Sequence, residues 1–483
     1  MVSALSRRNA RRAGGRPNRG RPDTPSGTGR RRGAPTRTRL LALRVLERVQ
    51  RAGAYADRAL HASLGRSSLA AADRAFATEL VYATLRWKGR IDYLLSQVLD
   101  RDLERLEPLV ATALRLGAYQ IVFSDRVPAT AAVDESVRCV RAAGVERATG
   151  LVNAVLRRLA AEHEQIHLPA LADDPLGHLI HAMSLPPWIA ERWLALYGPE
   201  EAADLARASN HPPPLTVRSN PRFGSPADLL HEVRARFPDA APCRIARRGI
   251  VLGRRGNPAL DPAFLAGRFT VQDEASQLVV ALLDPQPGEQ VFDACAAPGG
   301  KATAIAELVG DTGVVVAIDR HPRRVELIRR DARRLGLGAI RALERDASQP
   351  LGELAPPSLF DRVLVDAPCS GLGTLRRNPD ARWRVRREDP ARLAELQLAI
   401  LKSAASVLRP GGALVYSTCT LLPEENEGIV DSFLRDSSDF ALAPPSSLPE
   451  EVRGVSGTDG LLHCFPHRHD TDGFFAARFE RSA

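Results

Sequence analysis

Apolar residues recur at helical spacing through the first third of the chain. Between 38 and 161 they fall at positions such as Leu40, Leu43 and Leu46, and proline does not interrupt the periodic stretches. Each helix therefore has one apolar face that can pack against neighbouring helices. The pattern predicts an all-α domain over 38–165.

A different pattern begins near Thr270, where short apolar runs alternate with helical stretches of ten or more residues. Continuous apolar strands that alternate with helices are typical of a parallel sheet covered on both faces. We expect a Rossmann-like α/β domain over 269–483, with its ligand at the carboxyl ends of the strands. The predicted strands are 291–293, 314–319, 339–343, 362–366 and 413–417.

Proline-rich segments separate these two regions. Two helices are predicted at about 188–197 and 200–208, a strand at 216–220, and a further helix at about 226–237. We interpret 166–268 as a linker followed by a small α+β insert, whose function cannot be read from its residues. For a chain of 483 residues, about 150 residues per domain gives about three domains.

Positive charge is concentrated at one end of the chain. The formal net charge is +10, from 67 basic and 57 acidic residues, and 1–39 holds twelve arginines against the single acid Asp23. The Gly, Pro, Ser and Thr residues between them cannot build a core, so 1–37 is predicted to be a disordered tail. Such a tail suits binding to a polyanion, although a solvated, solubilising extension has the same composition.

The composition argues against membrane, secreted and zinc-stabilised proteins. No run approaches the roughly 20 apolar residues of a membrane span, and the arginine-rich start lacks the apolar stretch of a signal peptide. The six cysteines include no C-x-x-C pair, which disfavours structural zinc and a disulfide framework. We expect a soluble cytoplasmic protein, in which a cysteine placed in a loop can act as a nucleophile.

Polar residues follow the predicted strands at their carboxyl ends. They are Asp293, Asp319, Asp346, Asp366 and Cys419. The loop 295–301, of sequence C-A-A-P-G-G-K, opens a helix but is neither a dinucleotide nor a Walker fingerprint. Asp319 ends the next strand, where a carboxylate binds ribose hydroxyls in nucleotide-binding α/β folds. An adenosine ligand without a diphosphate fits best, and S-adenosylmethionine is the candidate.

Two thiols are predicted at neighbouring strand ends. Cys369 lies in the sequence D-A-P-C-S-G-L-G over 366–373, and Cys419 lies in S-T-C-T over 417–420. Carbon 5 of cytosine is too poor a nucleophile to accept a methyl group directly, so a thiolate must first add at carbon 6. Asp366 could hold the base by its N3 and N4 edge and stabilise the charge that develops.

Two other groups of residues have plainer interpretations. Cys295, near a strand end, fits a small packing residue, since thiols are among the most buried side chains. The stretch 463–470 contains three histidines and a cysteine, but its spacing matches no standard zinc pattern, and a polar hairpin tip explains it. No metal site is predicted.

In these motifs the chain resembles the RNA cytosine-C5 methyltransferases of the Sun/Fmu family, over about 270–483. The resemblance also runs through 270–277, 377–380, 424–427 and 472–475. It implies S-adenosylmethionine as the cofactor. The cofactor-binding residues that it implies are Cys295, Ala296, Ala297, Pro298, Gly299, Gly300, Lys301, Asp319, Asp346 and Asp366.

The same resemblance implies the catalytic residues. It gives Cys419 as the nucleophile and Cys369 as the thiol that assists product release, with Asp366 and Lys301 completing the catalytic set. DNA cytosine methyltransferases instead use the cysteine that follows proline, which here is Cys369. An experiment must therefore decide which thiol attacks.

The helical domain resembles NusB, a helical RNA-binding antitermination factor, through 74–76, 114–120 and 150–157. Fusion of such a domain to this catalytic domain is characteristic of the family members that methylate 16S ribosomal RNA. The resemblance implies 16S rRNA as the partner, naked or in an early assembly intermediate, with cytosine 967 in the usual rRNA numbering as the target. The predicted RNA-binding residues are Trp87, Lys88, Arg90, Arg376, Arg377 and Arg382.

The expected protein is a monomeric enzyme that methylates carbon 5 of one cytidine in 16S rRNA. The basic helix end at Trp87 fits a solvated face equally well as an RNA contact. One alternative function is the same chemistry on tRNA or another RNA. The other is a non-catalytic RNA-binding assembly factor that keeps the fold, although a binding module has no need of two thiols.

Overall fold

The computed structural model describes residues 36–253, 257–354 and 359–483. The predicted disordered tail lies outside the described residues except for its last two, and Arg37 already begins the first helix. Within the described ranges, no helix is both long enough and apolar enough to cross a bilayer.

The first domain is all-helical, as predicted, and is built around α5. Residues 109–120 of this helix are all buried, because neighbouring helices cover it on every side. Pro108 occupies the first turn of α5, where a missing backbone N–H costs nothing. The helices are α1 (Arg37–Ala52), α2 (Ala56–Gly65), α3 (Ala71–Arg86), α4 (Lys88–Val98), α5 (Pro108–Phe123), α6 (Ala129–Ala142) and α7 (Thr149–Glu162).

The middle region contains a long broken helix and a small antiparallel sheet of order β2-β3-β1-β4. Gly198, at φ 75°, breaks the long helix into the two predicted segments. Strand β4 pairs with β1, so the predicted start of the α/β domain at 269 cuts through this sheet. The elements are α8 (Pro175–Gly177), α9 (Pro187–Ser209), β1 (Thr216–Ser219), α10 (Pro226–Arg234), β2 (Ala241–Pro242), β3 (Gly249–Val251), α11 (Pro262–Leu265) and β4 (Phe269–Val271).

A second, larger sheet forms the α/β domain, in the order β10-β12-β9-β8-β5-β6-β7 with β11 paired to β12. The five predicted strands are present and parallel. Strands β12 and β10, which were not predicted, add antiparallel strands beyond β9 and make the sheet mixed. The strands are β5 (Gln290–Asp293), β6 (Val314–Asp319), β7 (Ile340–Glu344), β8 (Phe360–Asp366), β9 (Leu408–Thr418), β10 (Phe440–Leu442), β11 (Leu462–Cys464) and β12 (Phe474–Arg481).

Helices cover both faces of the larger sheet, and separate apolar clusters lie on its two sides. The multidomain fold class, with a helical domain, a small α+β insert and a Rossmann-like α/β domain, is confirmed. The helices are α12 (Glu274–Leu283), α13 (Gly300–Val309), α14 (Pro322–Leu335), α15 (Ala381–Arg384), α16 (Asp389–Ala405), α17 (Glu427–Asp436), α18 (Glu450–Arg453) and α19 (Pro466–His469).

The segment 376–384 joins the helical domain to the α/β domain. Arg86 donates a hydrogen bond to the carbonyl of Arg376 at 2.8 Å. The indole of Trp383 donates to the carbonyl of Leu85 at 2.7 Å. Helix α9 packs in the same region, since its apolar side chains form one cluster with residues such as Leu375. The loop that follows Cys369 therefore ends in the domain interface.

Candidate active site

The predicted polar residues lie along one edge of the larger sheet. Asp293, Asp319 and Asp366 end β5, β6 and β8, and Cys419 follows the last residue of β9. Asp346 comes two residues after β7. Because these five strands are parallel, their carboxyl ends meet at the same edge.

The cofactor loop, defined as residues 295–301, crosses this edge between β5 and α13. Gly299 has φ 114°, and a Cβ atom there would lie 3.2 Å from the Cα atom of Ile328. Only glycine fits this turn, which lets the loop pass close to α14. The loop leads into the N-terminus of α13, which brings the positive end of a helix dipole to this edge of the sheet.

Two of the carboxylates are suited to ribose hydroxyls. Asp319 accepts a hydrogen bond from the backbone N–H of His321 at 2.8 Å, which fixes its side chain. Asp346 accepts from the N–H and hydroxyl of Ser348 at 2.9 and 2.7 Å, and these bonds hold its pKa below the usual range. Charged oxygen acceptors in this position match the hydroxyl donors of an adenosine cofactor.

Asp293 is fully buried and Cys295 is half-buried. Burial, reinforced by the nearby charge of Asp366, raises the pKa of Asp293 to about 7. Burial also raises the pKa of the Cys295 thiol, with Asp293 adding to the effect. Cys295 packs against the apolar cluster on one side of the sheet. Its protonated thiol therefore fits a packing residue at the base of the cofactor loop.

Lys301 and Asp366 form an ion pair in the centre of the site. The Nζ atom of Lys301 lies 2.8 Å from Oδ2 of Asp366, and Ser417 donates its hydroxyl to Oδ1 at 2.9 Å. The same Nζ atom lies 4.9 Å from the ring centroid of Phe474 on β12. A carboxylate, an ammonium group and an aromatic ring thus surround one position at the sheet edge, which is a suitable environment for a polar base.

The two predicted thiols are in contact. Their Sγ atoms are 3.3 Å apart, and the backbone N–H of Cys419 also points to Sγ of Cys369 at 3.3 Å. The hydrogen bond with Cys419, together with burial, raises the pKa of Cys369 well above its usual range. The raised pKa keeps the proton on Cys369, as a thiol that assists rather than attacks requires.

The residues that hold these thiols in place were not among the predicted site residues. Glu425 is fully buried and accepts hydrogen bonds from the N–H and the hydroxyl of Ser370, next to Cys369. Asn426 bonds Thr418 and Thr420, on either side of Cys419. The acidic motif 424–427 was the only sign of these residues in the sequence. Its contact with Ser370 spans 55 residues, so sequence pattern alone could not predict it.

The three arginines predicted to bind RNA near 376–382 all have partners within the protein. Arg382 is fully buried and donates to the carbonyls of Arg86 and Ser184 and to the side chain of Asn210. Burial lowers its pKa to about 9. Arg382 therefore holds the domain interface together and cannot contact RNA in this structure.

The other two arginines have carboxylate partners. Arg376 is 5% exposed and bonds Asp470 at 2.8 Å. Arg377 bonds both Asp472 and Asp273 at 2.6 Å. Both charges are paired with carboxylates, and Arg377 keeps 28% of its side chain exposed, so an RNA contact by these two arginines stays a prediction. The arginines also connect the loop after Cys369 to neighbouring elements.

The predicted RNA-binding residues of the helical domain lie close to the domain interface. Trp87 stacks on Phe123 with ring centroids 4.9 Å apart, and Arg90 lies over both rings. Lys88 lies 4.4 Å from the ring of Trp383 and 3.3 Å from a carboxylate oxygen of Asp92. All three predicted side chains are half-buried, so any RNA contact uses only their outer edges.

The histidine-rich stretch 463–470 packs against other parts of the chain. His467 lies 3.1 Å from a carboxylate oxygen of Glu201, and Nδ1 of His469 accepts from the N–H of Phe465 at 2.9 Å. Among the described residues, no group of three or more histidine, cysteine or acidic side chains could hold a metal ion.

Comparison with known protein families identifies each of the three domains. The family model described as 16S rRNA methyltransferase RsmB/F matches 280–480, the NusB family model matches 36–161, and a ferredoxin-like domain of RsmF/B-like methyltransferases matches 185–257. A relative from Synechocystis, called probable ribosomal RNA small subunit methyltransferase B, is 39% identical over 92% of this chain and 99% of its own. The chain belongs to the RsmB/F methyltransferase family. The predicted family resemblance is therefore confirmed.

A further relative and two solved structures are also similar to this chain over most of their length. A protein of the same name from Bacillus subtilis is 38% identical over 91% of this chain and 98% of its own. The solved structure of PH0851 superposes with a TM-score of 0.76 at 26% identity, covering 92% of this chain and 99% of that one. A methyltransferase homologue from Pyrococcus horikoshii gives 0.55 at 31% identity, covering 64% and 99%. Membership of this family also confirms S-adenosylmethionine as the cofactor.

Proposed function

We propose that this protein methylates carbon 5 of a cytidine in 16S rRNA through a transient covalent bond between Cys419 and carbon 6 of the base. The observation that carries the proposal is the pair of thiols 3.3 Å apart, beside the ion pair of Lys301 and Asp366. The sulfonium centre of S-adenosylmethionine supplies the methyl group. The names of the curated relatives support small-subunit rRNA as the substrate.

The side chains of this site can carry each change at the base. The thiolate of Cys419 attacks carbon 6, which makes carbon 5 nucleophilic enough to take the methyl group. Asp366 and Lys301 bind the polar edge of the base and offset the charge that develops on addition. Once the proton on carbon 5 has been lost to a base, the bond between carbon 6 and Sγ breaks. Cys369, held protonated beside Cys419, assists that release.

The target nucleotide must leave its stack before Cys419 can reach carbon 6, because neighbouring bases shield that atom from both faces. We place the target at cytosine 967, in the usual rRNA numbering. The target base can leave its stack more readily in naked or partly assembled rRNA than in a finished subunit. We therefore propose naked or partly assembled 16S rRNA as the substrate. We also propose a monomer, which light scattering on the purified protein will test.

The first experiment measures methyl transfer from labelled S-adenosylmethionine to naked 16S rRNA, assembled small subunits and bulk tRNA, with the product base identified by mass. We expect 5-methylcytosine in naked 16S rRNA at a single position. Label in tRNA alone would move the substrate to tRNA while keeping the chemistry. Tight RNA binding with no label in any substrate would favour a non-catalytic assembly factor.

The second experiment assigns the two thiols. We expect Cys419→Ala to abolish methylation and the covalent adduct, and Cys369→Ala to accumulate a protein–RNA adduct that resists denaturation. Cys243→Ala is the matched control, because this half-buried cysteine lies in the small insert. Methylation that survives in Cys419→Ala would overturn the assignment of the nucleophile.

A further inference from the structure

Glu425 lies beneath the loops that carry the two thiols. We propose that Glu425 is a positioning residue which, through Ser370 and Thr420, sets the distance between Cys369 and Cys419. This inference rests on the proposed function, because it concerns the geometry that the reaction of the two thiols requires.

The carboxylate of Glu425 holds the Cys369 side of the pair. Its Oε1 atom accepts from the backbone N–H of Ser370 at 2.9 Å, and its Oε2 atom accepts from the Ser370 hydroxyl at 2.5 Å. Gln397 donates a further bond to Oε1 at 2.9 Å. Both oxygens are therefore used, and two of the three donors belong to the residue that directly follows Cys369.

The same network reaches the Cys419 side. The hydroxyls of Ser370 and Thr420 are 2.7 Å apart, which joins the two loops directly. Asn426, adjacent to Glu425, accepts from the hydroxyl of Thr418 at 2.6 Å and donates to the carbonyl of Thr420 at 3.2 Å. The residues before and after Cys419 are thus both anchored to 425–426.

The backbone of Glu425 is also anchored, because its carbonyl accepts from the hydroxyl of Tyr416 in β9 at 2.7 Å. The side chain is fully buried, and this burial raises its pKa. An uncompensated buried carboxylate is costly, so the network persists only with all its donors in place. Such a network has one low-energy arrangement, and that arrangement fixes the two thiols relative to each other.

The kinetic test uses Glu425→Ala and the conservative Glu425→Gln. A displacement of about 1 Å in a reacting group costs about 100-fold in rate, so we expect that loss in kcat for Glu425→Ala. Glu425→Gln keeps the Oε1 acceptor and should recover to within about tenfold of wild type. KM for S-adenosylmethionine and for RNA should change little, because Glu425 contacts neither the cofactor loop nor the surface.

The matched control is Glu424→Gln. Glu424 is the neighbouring residue with the same side chain, but it is 34% exposed and pairs with Arg192 at 2.7 Å. We expect wild-type kcat for this variant. Wild-type kcat in a folded Glu425→Ala, or equal losses in Glu424→Gln and Glu425→Gln, would overturn the proposal.

A double-mutant cycle tests whether Glu425 acts through Ser370, and its substitutions leave a smaller gap in the core than Glu425→Ala does. Ser370→Ala removes the hydroxyl donor, and Glu425→Gln removes the Oε2 acceptor of that hydroxyl. The double variant removes both groups. If the two residues act through one contact, the double variant loses no more kcat than the worse single variant. Losses that multiply would show that the two residues act independently, and would overturn the inference that Glu425 acts through Ser370.

Phenylarsine oxide provides a readout that does not depend on methyl transfer. Its arsenic binds two neighbouring thiols with loss of one water molecule, so it reports their spacing. We expect one equivalent bound by wild type and by Glu424→Gln, none by Cys369→Ser, and much weaker binding by Glu425→Ala. Unchanged binding by Glu425→Ala would contradict the proposal. Wild type that binds the arsenical but methylates no RNA would contradict the proposed function instead.

Discussion

Replacing Arg218 by methionine removes a buried guanidinium that connects the small insert to helix α13. Arg218 lies on β1 and donates to both oxygens of Glu307 on α13, at 2.8 and 3.0 Å. It also donates to the carbonyl of Gly300 at 2.8 Å and to the hydroxyl of Thr303 at 3.2 Å. The two charged side chains are 2% and 0% exposed. The insert thus holds the helix that begins inside the cofactor loop.

The size of the stability loss in Arg218→Met depends on which partners Glu307 keeps after the substitution. Breaking a buried ion pair by removing one partner costs about 3–5 kcal/mol, because a buried charge is left without compensation. Glu307 still has Arg248 as a second partner, so we expect the low end, about 3 kcal/mol. Arg222→Met is the matched control. Arg222 also joins the insert to the α/β domain, but its pair with Asp311 is 40% and 70% exposed, and exposed pairs contribute at most about 1 kcal/mol.

Hydrogen exchange followed by mass spectrometry measures this effect locally on α13 (Gly300–Val309). A loss of about 3 kcal/mol corresponds to about 100-fold faster exchange of those amides, and the control should change them by less than about fivefold. S-adenosylmethionine should also bind Arg218→Met more weakly than wild type. Equal exchange on α13 in the two variants would refute the reasoning that burial gives this contact its strength.

Three further predictions concern the rest of the structure. Gly373→Ala should abolish methylation without unfolding the helical domain, because the added Cβ would overlap the carbonyl oxygen of Gly473; activity and circular dichroism will test this. Asp293 binds its proton more tightly in the folded state, with a pKa of about 7, than in the unfolded state, so its contribution to stability should fall as pH rises from about 4 to 7. Melting temperatures across that range should be flatter in Asp293→Asn. Trp383→Phe loses the bond to the Leu85 carbonyl, which joins the helical domain to the α/β domain. If both domains bind the RNA, titrations should show weaker RNA binding with unchanged cofactor binding.

The sequence was sufficient to predict what depends on local pattern. The predicted strand 314–319 matches β6 at both ends, because a continuous apolar run defines it. The carboxylates at the strand ends were found because parallel strands bring their carboxyl ends together. The thiols were found because Cys419 directly follows β9 and Cys369 lies in the loop that follows β8.

The errors came from contacts between distant segments. Arg382 looks like a surface cation in the sequence, but its partners Arg86, Ser184 and Asn210 come from two other regions of the chain. Glu425 looked like one acid among several, because its bond to Ser370 crosses 55 residues. Periodicity carries no information about which buried polar groups pair across such separations, so these contacts needed the structure.

Strand β12 occupies an interior place in the sheet although it is the last strand in chain order. It lies between β9 and β10, and Phe474 at its start contacts Lys301. Gly473, just before it, donates its N–H to the carbonyl of Gly373 at 2.8 Å. During synthesis the helical domain can fold while the later residues are still being translated. The site at the sheet edge stays incomplete until 473–481 have left the ribosome, so we expect a nascent chain to acquire its folded helical domain well before it acquires methyl-transfer activity.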